Sequence, residues 1–347
     1  MRILSIQSSV AYGHAGNSAA TFPLQRLGHE VWPVLTVHFS NHTGYGAWRG
    51  QVFDPPMVAD VLHGIEERGV LGSADVVLTG YQGSPGVAEV VLDAVARVRE
   101  LNPGAVYCCD PVMGDVGRGM YVQPGIPELI RDRVVPAADV VTPNAFELAY
   151  LAGSGGDPET AVPADVTTQD GLLAAVDRLR ERGPRTVLVT SIEDGREVPP
   201  EPGGNTGDGE SGTHFGLTDG PSGDGDAAGD SDTAGGGDTT GDAAGDEVPG
   251  TISMVAVDDS GAYRVRTPRL PLQVNGAGDV TAALFVVHLL EHGIVEALAR
   301  TASSIFAVLA ETMHQVRVGQ AGPEIAIVAA QDAIAHPARE FEVTRLR

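Results

Sequence analysis

The residue types and spacing of Asn275-Gly276-Ala277-Gly278-Asp279-Val280-Thr281 make it the stretch most suited to chemistry. Two glycines around one small residue let the backbone turn tightly, so successive N–H groups converge at the start of the apolar run Ala282 to Leu290, which reads as a buried helix. Such a terminus receives a phosphate-like anion. Asp279 stands beside it, where the helix dipole favours an ionised carboxylate, a pairing suited to removing a proton from a hydroxyl that attacks a phosphoryl group. The plainer reading is a glycine turn with Asp279 as helix N-cap, and the two are compatible if the cap doubles as the base. A dinucleotide fingerprint is excluded because Thr281 stands where its last glycine belongs, far from an N-terminal βαβ unit. A Walker A loop needs a lysine, and the chain has none: all 22 Lys+Arg are arginine, which also excludes Schiff-base chemistry at a side chain.

Two further groups of residues sit where chemistry is expected. Asp110-Pro111-Val112-Met113-Gly114-Asp115 follows the strand-like Ala105 to Cys109, and an Asp at a strand end beside a glycine loop suits Mg²⁺ held partly through water and nucleotide phosphates. The alternative is that Asp110 only bonds loop amides. Thr142-Pro143-Asn144-Ala145-Phe146-Glu147 follows Asp139 to Val141, with Asn144 as N-cap and Glu147 three residues on, a capping-box variant. Glu147 also lies within reach of metal-bound water.

The elements that must position these loops alternate along the chain. Arg2 to Gln7, Val31 to Phe39, Ala74 to Thr79, Ala105 to Cys109, Asp139 to Val141 and Arg185 to Thr190 read as strands. Between them lie helices from about Asn17 to Leu27, from Pro55-Pro56 to Gly69, from Ser84-Pro85 to Leu101, near Pro127 to Val134, and from Thr168 to Arg182. This alternation is the signature of an α/β fold with a mostly parallel sheet covered on both faces. Ile252 to Val257 and Ala262 to Val265 read as a hairpin turning at Asp259-Ser260-Gly261, and Ala282 to Glu291, Val295 to Val316 and Glu324 to Ala333 as closing helices.

Composition bounds the function. The formal charge of -24 argues against nucleic acid and against an anionic membrane surface as partners. About half of it falls in residues 201–250, a Gly/Asp/Thr/Ser/Ala tract with about a dozen acids and no basic residue. Such a segment cannot offset its chain entropy by burial, so an acidic disordered insertion at about 196–250, interrupting a single domain of residues 1–347, is expected. No apolar run approaches a membrane span, and Met1 to Gln7 is too short for a signal peptide. The only cysteines, Cys108 and Cys109, point to opposite faces of a strand, which disfavours a disulfide and fits a reducing cytoplasmic setting.

Taken together, several segments resemble the ribokinase-like superfamily and, within it, the pyridoxal kinases. They are Ser5-Ile6-Gln7-Ser8, Gly16-Asn17 with Ala19-Ala20, Phe39-Ser40-Asn41-His42-Thr43-Gly44-Tyr45, Asp110 to Gly114, Thr142-Pro143-Asn144 with Glu147, and Gly276 to Asp279. The Phe39 to Tyr45 run is typical of vitamin B6 kinases and not of sugar kinases. The resemblance implies a three-layer α/β/α sandwich and ATP-dependent phosphorylation of the 5′-hydroxymethyl group of pyridoxal, with pyridoxine and pyridoxamine as further substrates. It implies Asp279 as catalytic base with Gly276, Ala277 and Gly278, and Ser8, Thr43, Val37, Phe39 and Tyr81 around the pyridine ring. It places Asp110, Tyr121, Thr142, Glu147, Thr190, Ser191 and Gly278 around ATP, with Asp110 and Glu147 on Mg²⁺. A monovalent cation is left open, and a homodimer is implied because relatives are dimeric. Ser9 departs from the family, which often has His there, and Thr190 replaces a Lys of some bacterial relatives. Two other readings stay open: a kinase of hydroxymethylpyrimidine sharing the Asp279 machinery, and a non-catalytic B6-binding protein.

Overall fold

The computed structural model describes residues 1–154, 162–193, 250–319 and 324–347. The chain opens with β1 (Arg2–Val10), α1 (Asn17–Arg26), β2 (Glu30–Phe39), the short β3 (Gly50–Val52) and α2 (Pro55–Glu67). Next come β4 (Val76–Thr79), α3 (Pro85–Leu101), β5 (Val106–Cys109) and a small hairpin of β6 (Gly114–Asp115) and β7 (Gly119–Met120). A helical stretch made of α4 (Ile126–Leu129), a π-helical turn at Ile130–Val134 and α5 (Val135–Ala137) leads to β8 (Val140–Val141), α6 (Ala145–Leu151), α7 (Gln169–Arg180) and β9 (Thr186–Glu193). The chain closes with β10 (Thr251–Asp258), β11 (Gly261–Pro268), α8 (Ala277–His292), α9 (Ile294–Arg317), α10 (Gln331–Ala335) and β12 (Val343–Arg345).

Among the described residues ten strands form one sheet in the order β12-β11-β10-β9-β8-β5-β4-β1-β2-β3. From β9 to β2 all neighbours are parallel, while β10, β11 and β12 at one margin and β3 at the other are antiparallel. Successive side chains on these strands enter opposite layers, as the period of two requires. Cys108, Val76, Val140 and Leu188 pack with α1, α8 and α9, whereas Cys109, Val77, Val141 and Val189 pack with α2, α3, α6 and α7. Strands buried on both faces account for the near-continuous apolar runs in the sequence, and the three-layer α/β/α arrangement follows.

Helix starts are set by the expected side chains. Ser84 Oγ accepts from the Val87 N–H at 3.3 Å with Pro85 next in the chain, and Thr168 Oγ1 accepts from the Gly171 N–H at 3.1 Å. At α6 both halves of the capping box are made: the Glu147 N–H donates to Asn144 Oδ1 at 2.9 Å and the Asn144 N–H donates to Glu147 Oε2 at 2.9 Å.

Three differences from the sequence reading bear on the site. β1 continues to Val10 through a register shift between Gln7 and Ser9, and the Asn17 side chain donates to the carbonyls of Ser5, Gln7 and Val34 at 3.0–3.3 Å beside it. The helix expected over Glu324 to Ala333 is confined to Gln331–Ala335, because Glu324 bridges to Asn275 and its carboxylate is drawn into loop contacts. Helix α8 starts at Ala277, so the glycine turn is its first turn and not a lead-in. The acidic tract lies outside the described residues; of the strands flanking it, Ile252 of β10 is the register partner of Glu193 of β9.

Candidate active site

Open α/β sheets bind ligands beyond the carboxyl ends of their parallel strands, and the residues singled out from sequence gather there. Adjacent strands β9, β8 and β5 deliver Thr190, Thr142 and Asp110, and β4, β1 and β2 deliver Tyr81, Ser8 and Phe39. The first group is the nucleotide side expected from sequence, the second the substrate side.

The carboxylate Asp110 is buried, and its Oδ1 accepts from the Thr142 hydroxyl at 2.8 Å. Its Oδ2 faces the glycine turn: a Cβ added at Gly278 would lie 4.0 Å from that oxygen. Burial, with the charge of Asp279 next in importance, pushes Asp110 up to about 7. Glu147, also buried, accepts at Oε1 from the Met113 N–H at 3.0 Å and at Oε2 from Asn144. Burial and the Asp110 charge raise it well above its usual range despite those amides. Two raised acids this close are an electrostatic demand for a cation, and among the described residues no arginine pairs with either.

Asp279 is not the cap of α8. The N-cap is Gly276, at φ 83° and without a side-chain bond, and Asp279 occupies the third helical position. Its carboxylate accepts from the Gly16 N–H and its own N–H, which oppose the dominant effect of burial; the net result lifts it to about 6. Part of its surface stays open to the cleft, yet enough protein encloses it for desolvation to win. Because its own amide faces the carboxylate, the amides left for an incoming anion are those of Ala277 and Gly278. Gly276 cannot be replaced by a residue with a side chain without movement, since a Cβ there would meet the His14 carbonyl oxygen at 2.1 Å.

Tyr121 follows β7 and its N–H donates to the Met113 carbonyl at 3.0 Å. Its hydroxyl is raised by burial first and then by the charges of Glu147, Asp110, Asp115 and Asp279, although the side chain as a whole is about half exposed. Thr190 pairs with Asn144 across a bridge, and Ser191 next to it holds φ 57°, the only described non-glycine residue at positive φ. Such backbone conformations collect at ligand clamps.

On the other side Val10, Ala15, Val37 and Phe39 form a small buried cluster of their own, with Trp48, Val52 and Tyr81 packed on it. Phe39 and Trp48 lie 4.1 Å apart between ring centroids. This is an apolar wall of the kind that lines small-molecule sites. Ser8 sits against Gly16, whose Cβ would fall 2.4 Å from Ser8 Oγ, so the loop after β1 needs glycine there. Thr43 is exposed at the start of a single 3₁₀ turn, Thr43–Tyr45, and is not part of this cluster. Ser9 does not address the pocket: its hydroxyl bonds that of Ser18 at 2.9 Å.

Two residues that the sequence did not single out tie these loops together. The Tyr45 hydroxyl donates to Glu324 Oε1, and the His14 N–H donates to Glu324 Oε2 at 2.9 Å. Glu324 also bridges Asn275, so one acid joins both substrate-side loops to the glycine turn. Arg118, on the β6–β7 hairpin, places Nη2 3.7 Å from where a Gly44 Cβ would lie, and its charge adds to burial, the larger cause, in lowering the neighbouring His42. It spans from the nucleotide side to the substrate side.

Residues 70–198 match the family model described as phosphomethylpyrimidine kinase. Over its full length the chain is similar to proteins named pyridoxal kinase PdxY: it is 48% identical to that of Leifsonia xyli subsp. xyli, covering 100% of both chains. It is 50% identical to that of Rubrobacter xylanophilus, covering 100% of this chain and 98% of that protein. Among solved structures it is similar to pyridoxal kinase from Leishmania donovani in complex with ADP and pyridoxamine, with TM-score 0.75, 26% identity, and 100% and 99% coverage. The partial match does not separate pyrimidine from pyridine kinases, but the full-length relatives do. With the α/β/α sandwich and the acid cluster in place and relatives of that name 48–50% identical over the whole chain, the chain belongs to the pyridoxal kinase family.

Proposed function

We propose that this chain transfers the γ-phosphoryl group of ATP to the 5′-hydroxymethyl group of pyridoxal, and of pyridoxine and pyridoxamine. The observation that carries this is the position of Asp279, lifted to about 6, at the first turn of α8 with Asp110 facing that turn. A base poised just below neutral pH is ionised at pH 7 and still accepts a proton readily. Phosphoryl transfer is mostly positioning and charge stabilisation, which suits a site made of amides and acids. Asp279 takes the hydroxyl proton, the Ala277 and Gly278 amides receive the developing negative charge, and the Val37–Phe39–Tyr81 wall with Ser8 and Thr43 orients the ring. Tyr121, Thr142, Thr190 and Ser191 line the nucleotide side.

The donor set fits Mg²⁺. Asp110 Oδ2 is the oxygen not taken by Thr142, while both Glu147 oxygens already accept amides, so Asp110 would hold the ion and Glu147 would act on its water. When bound, Mg²⁺ supplies positive charge to the phosphates. In a chain without lysine, Arg118 beside the Gly44 loop is a side-chain cation that could swing over the transferring group. We further propose one kinase domain over residues 1–347 with the acidic tract as an insertion, acting in the cytoplasm as a homodimer. Among the described residues no helix is long and apolar enough to cross a membrane.

A coupled assay with Mg²⁺-ATP across the three B6 vitamers and hydroxymethylpyrimidine tests the reading. Turnover of pyridoxal well above that of the pyrimidine is expected. A preference for the pyrimidine, or saturable pyridoxal binding with no ATP consumed, would overturn it.

A further inference from the structure

At the far end of α8 from Asp279 lies a cluster that phosphoryl transfer does not use. His288, Glu291 and His292 follow the i, i+3, i+4 spacing that puts side chains on one helix face, and their ligand atoms all lie within 4.8 Å of one another. The turn between α1 and β2 brings His29 to the same place: its Nε2 is 3.8 Å from Glu291 Oε1, and His292 Nε2 is 3.7 Å from Glu291 Oε2.

We propose that His29, His288, Glu291 and His292 form a binding site for a borderline divalent transition ion of the Zn²⁺ class, pinning the C-terminal end of α8 to the start of β2. The argument begins with unmet hydrogen bonding. His288 is 5% exposed, and neither of its ring nitrogens has a partner. His29 is equally enclosed, and its Nδ1 lies 3.3 Å from the Met1 nitrogen, which leaves Nε2 as the unpartnered atom on the Glu291 side. Buried polar groups are nearly always satisfied, so orphaned imidazole nitrogens aimed at a carboxylate call for a ligand. Three imidazoles and a carboxylate are a tetrahedral Zn²⁺ donor set, and neutral imidazole is the form that binds. The ligands of such an ion lie about 3.3 Å apart, from metal–ligand bonds of about 2.0–2.1 Å. His29 and His292 approach the two Glu291 oxygens at 3.8 and 3.7 Å, whereas the His288, Glu291 and His292 ligand atoms span up to 4.8 Å and His29 lies outside that mutual set. Closing on an ion therefore requires the exposed Glu291 and His292 side chains to rotate and His29 to move in.

The surrounding charges are mixed. Arg300 and the Met1 amine are positive, but Arg300 Nε is bonded to Glu296 at 2.7 Å, and Glu291 supplies a negative ligand. Asp279 to His288 is nine residues of one helix, about 13 Å, so the ion would sit remote from the phosphoryl centre and stabilise α8 without entering the reaction. The inference stands whether or not pyridoxal is the substrate.

The test titrates Co²⁺ into metal-stripped full-length protein in an Asp110→Asn background, which weakens the competing acid site. The readout is the strong visible absorption of tetrahedral Co²⁺, followed by displacement with Zn²⁺. One equivalent with that spectrum is expected, with a Tm raised by Zn²⁺. His292→Ala and Glu291→Gln, both at exposed positions that the fold tolerates, should each weaken Co²⁺ binding at least tenfold and abolish the Tm gain. Absence of the tetrahedral spectrum, or a spectrum unchanged in His292→Ala protein of normal metal-free Tm, would overturn the proposal.

Discussion

The Thr142 hydroxyl donates to Asp110 Oδ1 at 2.8 Å and leaves Oδ2 facing the turn at Gly278. Asp110→Asn keeps an acceptor for Thr142 but removes a charge whose folded pKa is raised to about 7 from 3.8. A raised carboxyl takes up its proton more readily in the folded state, so stability falls as pH rises from about 4 to about 7. Asp110→Asn should therefore be more stable than the parent at pH 8 by roughly 1–3 kcal/mol, with a correspondingly higher Tm, and should melt at nearly the same Tm at pH 4. Its kcat with Mg²⁺-ATP should drop by about 10²-fold or more. Thermal melts at the two pH values check the first claim, and equal stabilities at pH 8 would contradict it.

Asp279→Asn leaves the ring wall intact and removes the base. Pyridoxal binding should stay within about threefold while kcat falls by about 10²–10⁴-fold. With Asp279 lifted to about 6, the parent's kcat/KM should decline below about pH 6 as the base is protonated, and the residual rate of the variant should lack that limb. Near-normal turnover of the variant would remove Asp279 from the reaction.

Tyr45→Phe deletes the hydroxyl that donates to Glu324 and frees the loop over the substrate side. The KM for pyridoxal should rise about 5–10-fold with the KM for ATP unchanged. Glu324→Gln, which can still accept one of the two bonds, should show a smaller rise in the same direction. Equal effects on both substrates would point to general loosening and not to positioning.

The flanks of the acidic tract run antiparallel, with Ile252 opposite Glu193, so a short turn can join them. Deleting residues 201–249 should leave Tm and the kcat/KM for pyridoxal within about twofold, because closure entropy depends only logarithmically on loop length. A large increase in the KM for ATP would instead show that the tract helps to cover the nucleotide.

The sheet was legible because each parallel strand is an apolar run whose adjacent residues, such as Cys108 and Cys109, serve two different layers. The loops at Asp110 and Asn144 were legible for a local reason: a strand end followed by glycine, and a capping box complete within four residues. The sequence makes Asp279 the helix cap, whereas the cap is Gly276, three positions earlier. The type and neighbourhood of Asp279 were right, but a cap and a third helical position differ only in where the helix starts, which tertiary contact with Gly16 and His14 decides. Glu324 carried no signal, since its partner His14 is 310 residues away and an acid before an apolar run reads as a helix start. The β6–β7 hairpin and β12 are too short for any period to register.

Both margins of the ten-stranded sheet are three-residue antiparallel strands, Gly50–Val52 and Val343–Arg345. The second ends on Arg345, whose guanidinium lies over the Tyr263 ring. β3 covers only Val37–Phe39 of β2, and along the rest of that outer edge Pro33 has no N–H to offer a further strand, a usual protection against edge-to-edge aggregation. Copies of this protein that associate would therefore meet through side chains on the helical layers or loops and would not extend the sheet.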